Sequence, residues 1–402
     1  MRSRRGRRWW AMNSRSETAE PQPELRSFGR NSLRDLALSA LAVVLALLVG
    51  AVLIIVSDSA VTSAAGYFFA RPADTLSAAW SAVSGAYRAL FTGAFGGTHQ
   101  IAETLVAATP LICTGLSVTL AFRTGLFNIG AQGQLIAGAL AAGWVGFAWH
   151  LPPVLHVVVA LAAGVAAGAL WGGLAGILKA RTGAHEVIST IMGNYVALYA
   201  LTWLLTTSPL QRPGRREPIS PVVDANAQLP RFGDTRLHLG LVVALLAAAL
   251  VWWLLARTTL GFRLRAVGAN HEAARTAGMR VGTAYVLAMV LAGGLAGLAG
   301  TQQVLGTDLP LTNGIAGTFG FDGITVALLG RGSPVGTVCA ALLFGALNAG
   351  GHEMQAATGI PLTLVTVLQA VIVLLVAAPA LVRAVFRIRA ERAEAVLAKG
   401  WN

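Results

Sequence analysis

Four uncharged amides are the side chains whose type and spacing best suit polar chemistry in this sequence. Asn128, Gln132 and Gln134 crowd into "RTGLFNIGAQGQLIAG", residues 123–138, and Asn194 sits in "HEVISTIMGNY". Amides can hydrogen-bond a neutral polar ligand without the cost of burying a charge. They can equally bond to one another between helices, and the residues by themselves leave both readings open. Covalent or hydrolytic chemistry has less support. The only lysines are Lys179 in "GILKA" and Lys399 in "LAKGW", so there is no G-x-x-x-x-G-K-[ST] loop to cradle nucleotide phosphates. "GHEMQ" at 351–355 lacks the second His of a zinc-protease motif, and isolated Ser, His and Asp residues have no informative spacing. Cys113 and Cys339 lie in apolar runs without metal or redox spacing. Neither an enzymatic role nor a bound metal is therefore expected. Glu103, Glu186 and Asp322 fall near the ends of apolar runs, where anchoring at a membrane interface is the plain reading. A mid-span chain of acids and bases, which a proton-driven carrier would want, is not visible.

What must position the amides is a membrane-spanning bundle. Apolar runs recur from Leu36 almost to the C-terminus, only 12% of residues are charged and the mean hydropathy is +0.66, which excludes an ordinary soluble enzyme. A span needs about 20 apolar residues, and its backbone must bond internally, so helices are expected; the runs do not alternate as a barrel's would. Runs near 36–56, 101–122, 187–207, 237–256, 282–305 and 361–381 predict spans. The charge-free stretch 124–178 holds two more, divided by "HLPP". "GFDGITVALLGRGSPVGTVCAALLFGALNAG" adds two apolar pieces around Arg331. The first of these, Gly320 to Gly330, is too short for an ordinary span and is expected as a discontinuous or re-entrant helix inside the bundle. The expected fold is all-α, a polytopic transmembrane helical bundle of about nine to ten spans. Pro110 is expected to kink the second span, and 67–99 reads as an exterior segment of Trp, Tyr and Phe. Cleavage near "SAVTSAAG" competes with an uncleaved first span, but that run is longer than a signal-peptide core.

A net charge of +13 raises nucleic-acid binding, yet the arginines collect at both termini and between apolar runs, as membrane topology requires. An inside N-terminus puts most of the 30 Lys and Arg on one face and returns both termini to the cytoplasm. The chain then divides into a disordered basic leader (1–35), a transmembrane domain (36–382) and a basic tail (383–402). Gly164, Gly168, Gly172 and Gly176 form a ridge on one helix face, read as packing within one bundle rather than between subunits. Within the basic loop 257–280, "RAVGANHEAARTAGMR" builds a short exposed helix: Asn270 caps, Glu272 lies in the first turn, alanines fill the body and Gly278 stops it.

Four segments together resemble the membrane permeases of bacterial ABC importers of the branched-chain amino acid, ribose and nucleoside group. They are "ETLVAATPLICTGLSVTLAFRTGLFNIGAQGQLIAGA", "GAHEVISTIMGNYVAL", "RAVGANHEAARTAGM" and "GFDGITVALLGRGSPVGTVCAALLFGAL", in order over about residues 100 to 385. "GLFNIGAQGQ" is most similar to the nucleoside (simple sugar/nucleoside) permeases, with Gln132 standing where a Glu is commoner. The resemblance implies a pathway formed by two permeases, the partner being a shorter, different chain, so a heterodimer. It implies cytoplasmic ATPase subunits that hydrolyse ATP, an extracytoplasmic substrate-binding lipoprotein, no cofactor on this chain and no nucleic-acid partner. A multi-pass place in a bacterial inner (plasma) membrane, among its lipid, follows. The implied cargo is a nucleoside or related sugar-containing substrate; a ribose or simple-sugar permease, or a branched-chain amino acid permease, is the adjacent alternative, and an ion-coupled secondary transporter the remote one. Asn270, Glu272, Arg275 and Gly278 match the family's ATPase-coupling loop. Asn128, Gln132, Gln134 and Asn194 would line the pathway, bonding sugar hydroxyls or bases, or bond helix to helix instead.

Overall fold

The computed structural model describes residues 28–307, 309–378 and 385–386. Fourteen helices, one 3-10 turn (Ala225–Ala227) and an isolated bridge between Arg231 and His238 make up its regular structure, with no strand among the described residues. The leader expected over 1–35 lies outside the described residues up to Phe28, and the tail expected over 383–402 lies outside them save 385–386.

Helix α1 (Phe28–Ser57) starts before the expected Leu36 and stops at Asp58. The Asp58 carboxylate accepts from the amides of Ala60 (2.9 Å) and Val61 (3.0 Å), which caps α2 (Ser59–Ala65) and turns the chain by 70°. Residues 67–99, read from the sequence only as an exterior segment, hold a 24-residue helix, α3 (Pro72–Phe95). Pro72 at its first turn and Asp74 beside it favour a helix start, and Ala86, Ala89, Leu90, Gly93 and Ala94 make the buried face. That stripe is too narrow and too interrupted by Ser, Thr and Arg88 to register as an apolar run.

Helix α4 (Thr98–Arg123) continues through Pro110 as one helix and is the most enclosed of the long ones. "HLPP" separates α5 (Ala131–Ala148) from α6 (Pro153–Thr182), as expected. Then follow α7 (Glu186–Leu204) and, after an irregular segment, α8 (Gly240–Arg257). The basic loop is more structured than expected, because α9 (Thr259–Ala269) precedes the short helix α10 (His271–Thr276). Helix α11 (Val281–Gly306), the short α12 (Phe319–Leu329), α13 (Pro334–Thr358) and α14 (Leu362–Ala377) complete the chain.

Each of the ten expected crossings coincides with a helix, but not each with a full-length span. Six helices (α4, α6, α7, α8, α11 and α13) are long and apolar enough to cross a membrane, or seven with the bent α1–α2 pair. Helix α12 and Leu362–Val376 within α14 are shorter apolar helices.

Packing turns on small residues. The Gly164, Gly168, Gly172 and Gly176 ridge of α6 lies against Met289, Gly293 and Gly297 of α11, so close that an added Cβ would overlap the facing backbone. The ridge therefore serves packing within this chain, where close approach gains dispersion contacts that lipid cannot offer better. Helix α4 sits between α11, α12, α13 and α8, while α1, α3 and α14 form a second cluster around Ala46, Ile54, Leu90 and Leu368. Tyr87 of α3 donates its hydroxyl to the Leu47 carbonyl, tying α3 to α1.

Candidate functional site

The segment 124–130 leaves the end of α4 and climbs back into the bundle. Gly125 takes a left-handed φ of 73° and packs on the backbone of Gly268 in α9, an approach that a side chain would block. Three residues later Asn128, wholly buried, donates to Ser117 Oγ at 3.0 Å, and Ser117 lies six positions, or about 9 Å, up α4 from Arg123. Helix α5 thus starts inside the protein, with N–H groups that no local side chain caps.

Amides from elsewhere supply the missing partners. Asn128 and Gln134 form a reciprocal pair, Nδ2 to Oε1 at 2.9 Å and Nε2 to Oδ1 at 3.1 Å, and Asn128 Oδ1 also accepts from the Gly130 amide at 3.1 Å. From α7, Asn194 accepts from the Gly133 amide at 2.8 Å and donates to the Ile129 carbonyl at 2.9 Å. Asn194 therefore does for α5 what an N-cap does, from another helix. Gln132 repeats the device for α12: its Oε1 accepts from the Gly320 amide at 2.8 Å while its Nε2 donates to the Gly317 carbonyl at 2.7 Å. All four amides named from the sequence thus hydrogen-bond around the start of α5, Asn128 and Gln134 to each other and Asn194 and Gln132 to backbone groups, in a lattice joined by the chain from 128 to 134. Asn128, Gln134 and Asn194 are buried in it, and Gln132 is partly exposed.

Beyond Gln132 the lattice borders a cavity of about 820 Å³. Its walls are α4 (His99, Gln100, Glu103), α13 (Asn348, His352, Glu353) and the irregular segment from Thr307 to Phe319, whose Gly317 is the residue that Gln132 holds. Arg236 reaches in from the segment before α8 to pair with Glu103 at 3.1 Å. Glu103, read from the sequence as an interface anchor, thus belongs to the cavity, whereas Glu186 pairs with Lys179 at 2.8 Å across the turn from α6 to α7. Asp322 accepts from Thr318 Oγ1 at 2.6 Å in the first turn of α12. Next to Arg236, His238 is buried against Gly306 and its Nδ1 accepts from the Gly240 amide at 3.1 Å. Burial, and then the charges of Arg231 and Arg236, push its pKa down to about 4, so the ring is neutral.

Sequence reasoning missed His99, Gln100, Arg236, Asn348, His352 and Glu353. Two signals were there: His99 with Glu103, and Asn348 with His352, each stand four apart and so share a helix face. No group of three or more His, Cys, Asp or Glu among the described residues is placed to hold a metal ion.

At the opposite end of α4 stands α10. Asn270 Oδ1 accepts from the amides of Glu272 and Ala273, both at 3.0 Å, and Gly278 takes a φ of 80° past the C-terminus. Of this helix only Ala274 is buried; Glu272 and Arg275, exposed and 3.3 Å apart, face outward. Residues 270, 272, 275 and 278 are thus brought together, far along the chain from the amide lattice but joined to it through Gly268 on Gly125.

Over residues 100–377 the chain matches the family described as Branched-chain amino acid transport system / permease component. It is 43% identical over 304 residues to the guanosine ABC transporter permease protein NupP of Bacillus subtilis, spanning 75% of this chain and 87% of that one. It is 35% identical over 302 residues to the glucose ABC transporter permease protein TsgB13 of Haloferax volcanii, spanning 72% and 79%. A second guanosine permease of Bacillus subtilis, NupQ, is 28% identical over 259 residues, 61% of this chain and 79% of that one. No solved structure matches.

Proposed function

The chain belongs to the branched-chain amino acid transport system permease family, a multi-pass ABC transporter permease subunit, and on that premise we propose that it carries nucleosides across a bacterial inner membrane. The cargo class rests on the likeness to NupP, which is higher than that to the glucose permease. A sugar cargo is the second reading, and TsgB13 is what favours it.

The observation that carries the mechanism is the unbroken physical connection from α10 to the cavity. Helix α10 continues into α9, whose Gly268 bears on Gly125; that turn leads to the Asn128, Gln134 and Asn194 lattice, and Gln132 grips the Gly317 to Gly320 wall. An ATPase subunit bound at Asn270, Glu272, Arg275 and Gly278 would move a rigid train of contacts rather than a slack loop. ATP would be bound and hydrolysed by that partner, since this chain has no phosphate loop. Both termini and α10 would face the cytoplasm, and the cavity would open outward to an extracytoplasmic binding lipoprotein. The amides hold the cavity wall in register, Gln132 through Gly317, which lines the cavity.

A second, different permease completes the assembly. Two distinct guanosine permeases occur in Bacillus subtilis, and this chain is closer to one than to the other. Helix α12 gives a physical reason for a partner. Its buried face (Gly320, Gly323, Val326, Ala327) packs inward, while Phe321 and Leu328 on the other face, and Asn313, Gly314 and Thr318 just before it, are exposed. Irregular backbone cannot face lipid in the hydrocarbon layer, so protein or a watery path must cover it. The test is reconstitution with a NupQ-like permease, an ATPase with two nucleotide domains and the binding lipoprotein. ATP-dependent uptake of labelled guanosine exceeding that of glucose is expected. Uptake by the chain alone, driven by an ion gradient, would sink the proposal.

A further inference from the structure

Beside α10 lies a pocket that the transport pathway does not use. It has a volume of about 590 Å³ and opens between α9 and α11, with Leu260 of α9, Met279, and Leu287 of α11 as its accessible apolar lining over the buried Leu264 and Val267, and with the exposed Arg263 and Arg280 lining it as well. We propose that it is a binding site for one anionic phospholipid. The phosphate lies between the two guanidinium groups, and an acyl chain runs over Leu260, Met279 and Leu287.

Depth and charge select that occupant. Arg280 immediately precedes α11, so Leu287, seven residues on, lies about 10 Å into the membrane-crossing helix. The pocket thus joins headgroup level to hydrocarbon, which a phospholipid fills and a water-soluble partner does not. Between 257 and 280 the chain has five arginines and a single acid, Glu272, which is already engaged by Arg275 and His271. Neither Arg263 nor Arg280 has an acidic partner among the described residues. A guanidinium pair over an aliphatic floor at a helix boundary suits an anionic headgroup, each cation contributing about 1 kcal/mol. Because Ala277, Gly278 and Met279 line the same pocket, a seated lipid braces the C-terminal turn of α10. The inference rests on the membrane placement of the chain and not on its cargo.

Native mass spectrometry of the full chain, titrated with phosphatidylglycerol and with phosphatidylcholine of matched acyl chains, tests it. Wild type should retain phosphatidylglycerol preferentially, and R263Q/R280Q should lose about fivefold in that preference per arginine removed. L287W keeps both charges but fills the floor, and should lose the bound lipid as well. Both variants should melt as wild type does in phosphatidylcholine nanodiscs. An unchanged preference in the double variant overturns the site. Displacement of the lipid by inorganic phosphate would assign the arginine pair to a free anion, and displacement by the added ATPase would assign it to protein; either result overturns the lipid proposal.

Discussion

Asn194 is the residue whose loss should be felt first. Replacing it with Ala leaves the Gly133 amide and the Ile129 carbonyl unpaired in the interior, each costing about 1–3 kcal/mol, so N194A should melt well below wild type in detergent. A large fall in transport with an unshifted melting point would instead make Asn194 a cargo contact. His238 gives a pH dependence. Its folded pKa of about 4 lies below the usual value near 6.5, so the unfolded chain binds the proton first. Stability should be complete above about pH 6.5 and fall as the pH drops toward 4, with no further loss from this residue below that. H238Q, which does not titrate, should flatten that part of the thermal-melt profile. The polar cluster itself was legible, since three amides within seven residues of an apolar domain stand out in any reading of the sequence. Its bonding was not. Asn194 is 61 positions from Gly133 and Gln132 is 188 from Gly320, and no local pattern encodes which distant backbone group an amide will find.

Helix α10 and the α6–α11 seam differ in how a substitution should read out. Glu272 and Arg275 form an exposed pair of the kind that contributes about 0–1 kcal/mol, so E272Q/R275Q should fold normally. Capture of the ATPase subunit by the tagged double variant should fall, and unchanged capture would count against the docking role. At the seam, G168V forces a branched side chain into the backbone of Gly293 and Gly297, and a loss of about 1–3 kcal/mol or more is expected, seen as a lower melting temperature. The glycine ridge was legible because a four-residue repeat names a helix face without reference to its partner. The capping of α10 was legible for the same reason, Asn270 and Gly278 being local signals. Helices α3 and α9 were not: α3 buries only a narrow stripe of three alanines, Leu90 and Gly93, and α9 carries Arg263 and Arg265 within 11 residues, so neither makes an apolar run. Their existence is decided by what they pack on, α13 for the first and α4, α8 and α11 for the second.

At the scale of the whole molecule, α10 and the cavity, to which the proposed transport gives different tasks, are joined through Gly268, Gly125 and the buried amides. A reporter placed in the 205–239 segment should be active only outside the cell and one in 257–280 only inside; the reverse pattern would invert the proposed orientation. The proposed orientation rests on the charge pattern, and the ordered motifs carried the family, but the cavity was invisible because its walls come from α4, α13 and the approach to α12, which meet only in three dimensions. The uncovered side of α12 has a further consequence, in the life of the chain inside a cell. A lone copy would leave the irregular backbone before α12, and Phe321 and Leu328 beside it, without a protein cover, and so less stable than in the assembly. The chain therefore carries its own timer: its half-life in a pulse-chase should be short when it is made alone and lengthen several-fold when its partner permease is made with it, so that supply of the partner sets how much transporter the membrane holds.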